Sequence, residues 1–215
     1  MLRRLVAEAV GTFFLVFCGT GAIVVDSASG GMVTHLGIAI TFGLVVMCMI
    51  FVFGDVSGAH FNPAVTIAFA LSRRFAFSGV VPYVVSQLFG AGFASLILRA
   101  LFPGAVTFGA TVPAAGALQS LILEIIISMA LMLVIFSVST GSREKGLFAG
   151  IAIGGAVALA AIFAGPISGA SMNPARSFGP ALVAMNPDSL WIYFLGPCVG
   201  TSLAAFLTMF LESRS

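Results

Sequence analysis

The sequence predicts an all-α membrane protein with six transmembrane helices and two re-entrant half-helices, arranged as an inverted repeat of two three-helix halves. Three observations predict this fold: an apolar composition, six long segments almost without charge, and a repeated stretch of fifteen residues. Of the 215 residues, 60% are hydrophobic and only 7% are charged, whereas about a quarter of the residues in soluble domains are charged. These few charges cannot form a polar surface, so lipid must be the solvent for most of the chain.

Six apolar segments each approach the ~20 residues that a membrane-spanning helix needs. They lie at roughly 5–25, 35–54, 78–101, 118–139, 147–164 and 190–211. Two further segments, at roughly 62–72 and 173–184, begin with Asn-Pro and are too short to cross a bilayer. We therefore expect each short segment to form a half-helix that enters the membrane without crossing it.

The first apolar segment follows a basic start and in this respect resembles a secretory signal peptide. Its apolar run is longer than that of a typical signal peptide, and it contains Glu8. Its removal would leave five spans and would disrupt the repeat. We therefore expect this segment to be retained as the first transmembrane helix.

The basic residues orient the spans, because cytoplasmic loops of membrane proteins are enriched in Lys and Arg. With six spans, both termini share one side. That side carries Arg3, Arg4, Arg73, Arg74, Arg143, Lys145 and Arg214. The other side carries Arg99 and Arg176, and its loop at roughly 103–117 has no charge. These placements predict an integral membrane protein with both termini cytoplasmic, and the short tails and loops suggest a compact prokaryotic form in a cell (inner) membrane. The net charge of +2 does not indicate a nucleic-acid partner.

An internal repeat divides the chain into halves of about 1–108 and 115–215 within a single transmembrane domain, 1–215. Residues 57–71 read SGAHFNPAVTIAFAL and residues 168–182 read SGASMNPARSFGPAL, so eight of fifteen positions agree. Each half has three spans, an odd number, and the second half must therefore enter the membrane with opposite polarity. This inversion brings the two half-helices together near the midplane of the bilayer.

Each half-helix begins with an Asn-Pro-Ala motif. The six residues are Asn62, Pro63, Ala64, Asn173, Pro174 and Ala175. Asparagine is a good helix cap, and proline suits the first helical turn. Two opposed helix N-termini repel cations, while the asparagine amides remain available to a passing oxygen atom. One such motif is an ordinary turn signal, but two, each after Ser-Gly-Ala in a duplicated chain, predict a pore.

These features resemble the aquaporin, or major intrinsic protein, superfamily over essentially the whole chain. The segment AGPISGASMNPARSFGPAL followed by SLWIYFLGP is similar to nodulin-like intrinsic proteins of plants and their bacterial relatives. The resemblance implies a passive channel that conducts water and small uncharged solutes while excluding protons and ions. It also implies a homotetramer in the lipid bilayer, with no cofactor and no enzymatic activity.

The resemblance places Phe42, Ala161, Ala170 and Arg176 around an outer constriction that selects solutes. An arginine at membrane depth is costly unless it faces a wet cavity, so a functional role is its default interpretation. Strict water channels of the family typically carry His at the Ala161 position and a bulkier polar residue at the Ala170 position. Two alanines therefore predict a wider pore that admits glycerol-sized solutes or metalloid hydroxides. Ser177 stands where typical glycerol facilitators have Asp, so a strict water channel remains an alternative.

Glu8 and Glu124 hold equivalent places early in the first span of each half. Either they support the re-entrant loops by accepting hydrogen bonds from the loop backbone, or they couple solute to protons or ions in a secondary transporter. Their symmetric placement favours loop support. His60, two residues before Asn62, is placed at the cytoplasmic mouth as a structural residue or, alternatively, a pH gate.

Other side chains suggest no chemistry beyond a pore. Three aromatic residues lie near the ends of spans, where such residues commonly anchor a helix at the membrane interface: Trp191, Tyr193 and Tyr83. The three cysteines lack any metal-ligand spacing, so no metal site is predicted. No Ser/His/Asp or Cys/His set is evident, which argues against an enzyme. A structural or adhesive membrane protein with a closed pore remains a third alternative.

Overall fold

The computed structural model describes residues 1–139 and 148–213, and within these ranges the regular structure is helical. The helices are α1 (Leu2–Ala28), α2 (Thr34–Ser57), α3 (Pro63–Leu71), α4 (Val80–Leu101), α5 (Ala117–Ser139), α6 (Ala149–Ser168), α7 (Pro174–Ala184) and α8 (Leu190–Glu212). A short 3₁₀ turn, Phe77–Gly79, leads into α4. The basic residues Arg143, Lys145 and Arg214, used to predict the orientation, lie outside the described residues.

Six of these helices are long and apolar enough to cross a membrane, and α3 and α7 are the two short ones. The distribution of side chains is the reverse of that in a soluble protein. Large apolar residues such as Leu44, Phe89 and Leu159 are about half exposed or more, whereas Glu8 and Glu124 are fully buried. The predicted fold of six spans with two re-entrant half-helices is confirmed.

The two halves are joined by a close crossing of α2 and α6 at Gly43 and Gly154. A Cβ atom on Gly43 would lie 2.6 Å from the Gly154 carbonyl oxygen, and one on Gly154 would lie 2.5 Å from the Gly43 carbonyl oxygen. These two glycines are separated by the same 111 positions as the repeated motifs. The helices therefore meet at equivalent points, and glycine at both positions permits their backbones to touch.

The loops that lead into α3 and α7 share an unusual backbone. Positive φ angles occur at equivalent positions in both: Gly58 (87°), Ala59 (51°), Phe61 (48°), Gly169 (83°), Ala170 (42°) and Met172 (52°). Four of these residues are not glycine, so their left-handed conformation is strained and persists only where surrounding contacts fix it. The inverted repeat thus extends to the conformation of individual residues.

Tyr83 and Tyr193 correct one prediction, because they are not interfacial anchors. Their exposed fractions are 1% and 0%. The Tyr83 hydroxyl donates to the Ser57 carbonyl at 2.9 Å, and the Tyr193 hydroxyl donates to the Ser168 carbonyl at 2.7 Å. Ser57 and Ser168 are the last residues of α2 and α6, where helix carbonyls have no partner within the helix. The tyrosines satisfy those carbonyls from inside the bundle.

Candidate functional site

The oxygen atoms of the two asparagine amides cap the half-helices. Asn62 Oδ1 accepts a hydrogen bond from the Ala64 N–H at 2.9 Å. Asn173 Oδ1 accepts one from the Ala175 N–H at 3.0 Å and a longer one from the Arg176 N–H at 3.4 Å. Pro63 and Pro174 follow as the first helical residues. Each cap fixes the orientation of its amide by bonding the oxygen to its own half-helix.

The nitrogen atoms of the same amides cross between the halves. Asn62 Nδ2 donates to the Met172 carbonyl at 2.7 Å, and Asn173 Nδ2 donates to the Phe61 carbonyl at 2.8 Å. Since Phe61 and Met172 directly precede the two asparagines, these reciprocal bonds join the N-termini of α3 and α7. Each amide carries two hydrogens and uses one in this bond. The other can be donated to a molecule in the adjoining cavity, which both asparagines line.

The Glu8 carboxylate accepts hydrogen bonds from several groups of the first re-entrant loop. Its Oε1 accepts from the Ser57 hydroxyl at 2.6 Å and from the His60 N–H at 3.0 Å. Its Oε2 accepts from the Phe61 N–H at 2.7 Å and from the Gln87 amide at 2.8 Å. This carboxylate therefore fixes the loop backbone immediately before the first Asn-Pro-Ala motif.

Glu124 makes the equivalent contacts in the second half. Its Oε1 accepts from the Ser168 hydroxyl and the Ser171 N–H, both at 2.8 Å. Its Oε2 accepts from the Met172 N–H, also at 2.8 Å. Neither Glu8 nor Glu124 lines the cavity. Their bonds maintain the strained loop conformation described above.

A cavity of about 730 Å³ lies inside the bundle. It extends from Gly54 and Asp55, near the end of α2, past His60 to Arg176. The predicted site residues that line it are Phe42, His60, Asn62, Ala161, Ala170, Asn173 and Arg176. The remaining ones, which are absent from this lining, are Pro63, Ala64, Pro174, Ala175, Glu8 and Glu124.

Arg176 is the charged group of the predicted constriction, and it is 3% exposed. Its Nη1 donates to the Gly109 carbonyl at 2.7 Å, and its guanidinium carbon lies 5.0 Å from the centre of the Phe42 ring. The latter distance is within the range of cation–π attraction. Arg176 Nε has no hydrogen-bond partner although it is buried. Arg176 itself lines the cavity, so its guanidinium, which carries five N–H donors, can donate to a molecule there.

His60 lies between the cavity and an aromatic cluster. Its Nδ1 is 3.1 Å from the Thr66 hydroxyl oxygen, and its ring stacks on Phe69 with 4.7 Å between centroids. The rings of Phe75 and Tyr83 approach it at 5.0 and 5.2 Å. These contacts hold the imidazole from several sides, which fits a structural role better than a moving gate.

Gly109 and Thr111 contact Arg176 and its neighbour Ser177, and the sequence did not suggest either of them. Both lie between α4 and α5 in the predicted uncharged external loop. Gly109 supplies the carbonyl bonded to Arg176, while the Thr111 hydroxyl donates to Ser177 at 2.8 Å. The Ser177 and Ser171 hydroxyls are 2.6 Å apart, so the contact continues toward the second Asn-Pro-Ala motif. In the sequence, only the lack of charged residues in this loop indicated that it could fold into the bundle.

Metal-binding side chains do not converge anywhere in the part of the chain that the structure describes. The three cysteines, Cys18, Cys48 and Cys198, are free. No group of three His, Cys, Asp or Glu residues at 1–139 and 148–213 could hold a metal ion. Besides apolar groups, the cavity lining contains the amides of Asn62 and Asn173, the Arg176 guanidinium, the His60 imidazole, the Asp55 carboxylate and the hydroxyls of Ser139 and Ser171.

Comparison with known families identifies the class of protein. The family model described as Major intrinsic protein matches residues 1–208. The chain belongs to this family. Members of the family are channels and not enzymes, which confirms the prediction that the chain is not an enzyme. The resemblance inferred from the two Asn-Pro-Ala motifs is likewise confirmed.

Individual relatives support the same assignment. Nodulin-26 from Glycine max is 50% identical over 207 residues, which cover 96% of this chain and 76% of that protein. Aquaporin NIP1-1 from Zea mays is 47% identical over 206 residues, covering 95% and 73%. A solved aquaglyceroporin from Plasmodium falciparum shares the fold with a TM-score of 0.84 at 24% identity, covering 96% of this chain and 94% of that one. The likeness to nodulin-like proteins predicted from the second half is therefore confirmed.

Proposed function

We propose that this chain is a passive channel for water and small uncharged solutes, including glycerol-sized molecules or metalloid hydroxides. The observation that carries the proposal is the pair of asparagine amides at the junction of the half-helices. Each amide is fixed by one bond to its own helix and one to the other half, and each faces the same cavity. The names of the relatives, which are aquaporins and an aquaglyceroporin, support the same function.

Exclusion of protons and ions follows from the electrostatics at this junction. Each half-helix presents a partial positive charge of about +0.5 at its N-terminus. The two N-termini face each other in the low-dielectric interior, where repulsion of a cation is much stronger than in bulk water. A neutral hydroxyl oxygen instead accepts hydrogen bonds from Asn62 and Asn173. Water therefore passes while hydronium and metal cations are turned back.

The four constriction residues determine which neutral solutes enter. The guanidinium of Arg176 lines the cavity and donates hydrogen bonds to a solute oxygen, and the Phe42 ring offers an apolar wall. Ala161 and Ala170 leave space where larger side chains would narrow the opening. This combination suits a small molecule with hydroxyl groups on one side and carbon or metalloid atoms on the other. A strict water channel would need larger or more polar side chains at these two positions, because such side chains narrow the opening.

Glu8 and Glu124 act as loop supports in this proposal. They accept four and three hydrogen bonds respectively, and neither lines the cavity. A coupling carboxylate in a transporter must meet its ion or proton from an aqueous path. Such buried, occupied carboxylates favour an uncoupled channel over an ion-coupled secondary transporter.

In the membrane, we propose that residues 1–215 form one channel domain that assembles as a homotetramer in a cell (inner) membrane with both termini cytoplasmic. Arg74 forms an ion pair of 2.6 Å with Glu212, so the basic loop after α3 lies beside the C-terminal end of α8. Arg3 and Arg4 line a surface pocket with Asp55, at the cavity end opposite Arg176. A basic side that also holds the chain ends supports this orientation.

The function is tested by osmotic swelling and shrinking of liposomes that contain the purified protein, with water, glycerol and boric acid compared. Wild type should increase all three permeabilities without carrying current. Ala161→His should reduce glycerol and boric acid permeability by about tenfold, and water permeability less, because the imidazole narrows the opening beside Arg176. Ala161→Ser, which adds little volume, is the matched control.

Three results would contradict parts of this proposal. Saturable flux driven by a pH or sodium gradient would identify a transporter. Negligible flux of every solute would indicate a closed pore with a structural role. Unchanged flux of the larger solutes in Ala161→His would show that Ala161 does not line the constriction.

A further inference from the structure

A backbone carbonyl near the constriction lacks its helical partner. Pro166 lies within α6 and has no N–H, so it cannot bond to the carbonyl four residues earlier, that of Ile162. His35, in the first turn of α2, places its Nε2 atom 2.9 Å from the Ile162 carbonyl oxygen. The imidazole N–H therefore takes the place of the backbone donor that proline removes.

The local sequence of α6 provides both the acceptor and the space for this contact. A Cβ atom on Gly165 would lie 2.6 Å from Cε1 of the His35 ring. Glycine at this position lets the imidazole pack directly against the α6 backbone. Gly165 and Pro166 together thus permit the contact with His35. Gly165 has no side chain in the way of the imidazole, and Pro166 has no N–H to bond to the Ile162 carbonyl.

This contact and the glycine crossing enclose the constriction along the α2–α6 pair. The helices touch at Gly43 and Gly154 on one side, and at His35 and Ile162 on the other. Phe42 lies between His35 and Gly43 in α2, and Ala161 lies between Gly154 and Ile162 in α6. Two fixed points therefore surround the two residues whose separation sets the width of the opening.

We propose that His35 is a positioning residue that sets the spacing of α2 and α6 at the constriction, and thereby the selectivity for larger solutes. This inference rests on the proposed channel function. His35 does not line the cavity, so it acts through the helix pair and not on the solute. Ile162 is exposed on the outside of the bundle, where lipid offers no hydrogen-bond donor to replace the imidazole.

The test is a double-mutant cycle on His35 and Pro166, read as the ratio of glycerol to water permeability in liposomes. His35→Ala should raise this ratio by about threefold, because the outer ends of the helices can separate. Pro166→Ala alone should leave the ratio near that of wild type. The double variant should keep the raised ratio of His35→Ala, because the restored N–H at 166 satisfies the Ile162 carbonyl within α6 but does not join α6 to α2. His35→Gln retains a donor and should remain close to wild type.

A control for helix stability is Thr41→Val. The Thr41 hydroxyl donates to the Gly37 carbonyl within α2 at 2.8 Å and makes no hydrogen bond to α6. This variant should lower the melting temperature without changing the permeability ratio. If His35→Ala behaves like Thr41→Val, His35 is merely structural and the inference is wrong.

The remaining outcomes separate this inference from the proposed function. A conducting wild type with an unchanged ratio in His35→Ala overturns the inference alone, as does a double variant that returns to the wild-type ratio. A wild type that conducts neither water nor glycerol overturns the proposed function and the inference with it. If His35→Ala does not fold, the double variant and His35→Gln still carry the comparison: a wild-type ratio in the double variant, or a threefold change in His35→Gln, contradicts the inference.

Discussion

The two re-entrant loops share one scaffold and differ in the chemistry built on it. In both halves a buried glutamate binds a serine hydroxyl and the two backbone N–H groups before the asparagine. The side chains beside this scaffold are unlike. His60 contacts Thr66 in the first half, while Ser171 contacts Ser177 at the equivalent positions of the second.

The positive charge of the constriction also comes from the second half alone. Arg176 follows the second motif, and the position 111 residues earlier is Val65. The Gln87 amide donates to Glu8 in the first half. Gln87 lies four residues after Tyr83, and the residue four positions after the equivalent Tyr193 is Pro197, which has no such donor. The two halves therefore share the geometry of the pore centre, where the N-termini of the two half-helices meet. Selectivity depends on residues that the duplication does not share.

The largest expected effect tests the shared scaffold. Glu8→Ala and Glu124→Ala should each reduce the free energy of unfolding by about 4 kcal/mol, because several buried donors lose their acceptor at once. Thermal unfolding in detergent measures the change. Glu212→Ala is the control: this glutamate is about half exposed, and loss of its ion pair should cost less than about 1 kcal/mol. Losses that differ widely between Glu8 and Glu124 would contradict the equivalence of the loops.

An intermediate effect tests whether the halves also pack alike. A Cβ atom added to Gly90 in α4 would clash with the Ala9 carbonyl oxygen, and one added to Gly200 in α8 would clash with the Ile125 carbonyl oxygen. Gly90→Ala and Gly200→Ala should each cost about 2 kcal/mol, since a backbone carbonyl cannot move aside as a side chain can. Gly155→Ala, which meets no atom within 4 Å, serves as the control and should be neutral or slightly stabilising. Tolerance of alanine at one crossing only would refute symmetric packing.

The smallest of these effects tests the asymmetric part. Arg176→Val gives the second half-helix the residue of the first and should raise the proton leak of liposomes about tenfold, a change of ~1.4 kcal/mol in the barrier. A pH-sensitive dye inside the vesicles records the leak. Arg176→Lys, which keeps a positive charge, should leak less than the valine variant. An unchanged leak would place the whole proton barrier at the asparagines.

Local and repeated signals made much of the site predictable. The starts of α3 and α7 follow directly from Asn-Pro, because capping and the tolerance of proline depend on adjacent residues. Glu8 and Glu124 could be paired because the repeat relates them. The grouping of Phe42 and Ala161 with Arg176 came from family resemblance, and the structure brings these three to one cavity.

Long-range partners explain what the sequence did not predict. Arg176 binds Gly109 across 67 positions, and His35 binds Ile162 across 127. No periodicity or motif marks such contacts, because they depend on how finished helices and loops meet. Tyr83 was assigned to the interface because aromatic residues near span ends are common there, but an unsatisfied carbonyl of α2 draws its hydroxyl inward.

The reciprocal asparagine bonds also constrain the order of biosynthesis. The amide of Asn62 finds its carbonyl at Met172, 110 positions later, so the first half emerges from the ribosome before its partner exists. Until then the first loop has only Glu8 and its neighbours to hold it. A chain arrested before residue 172 would therefore lack both reciprocal bonds at the centre of the channel.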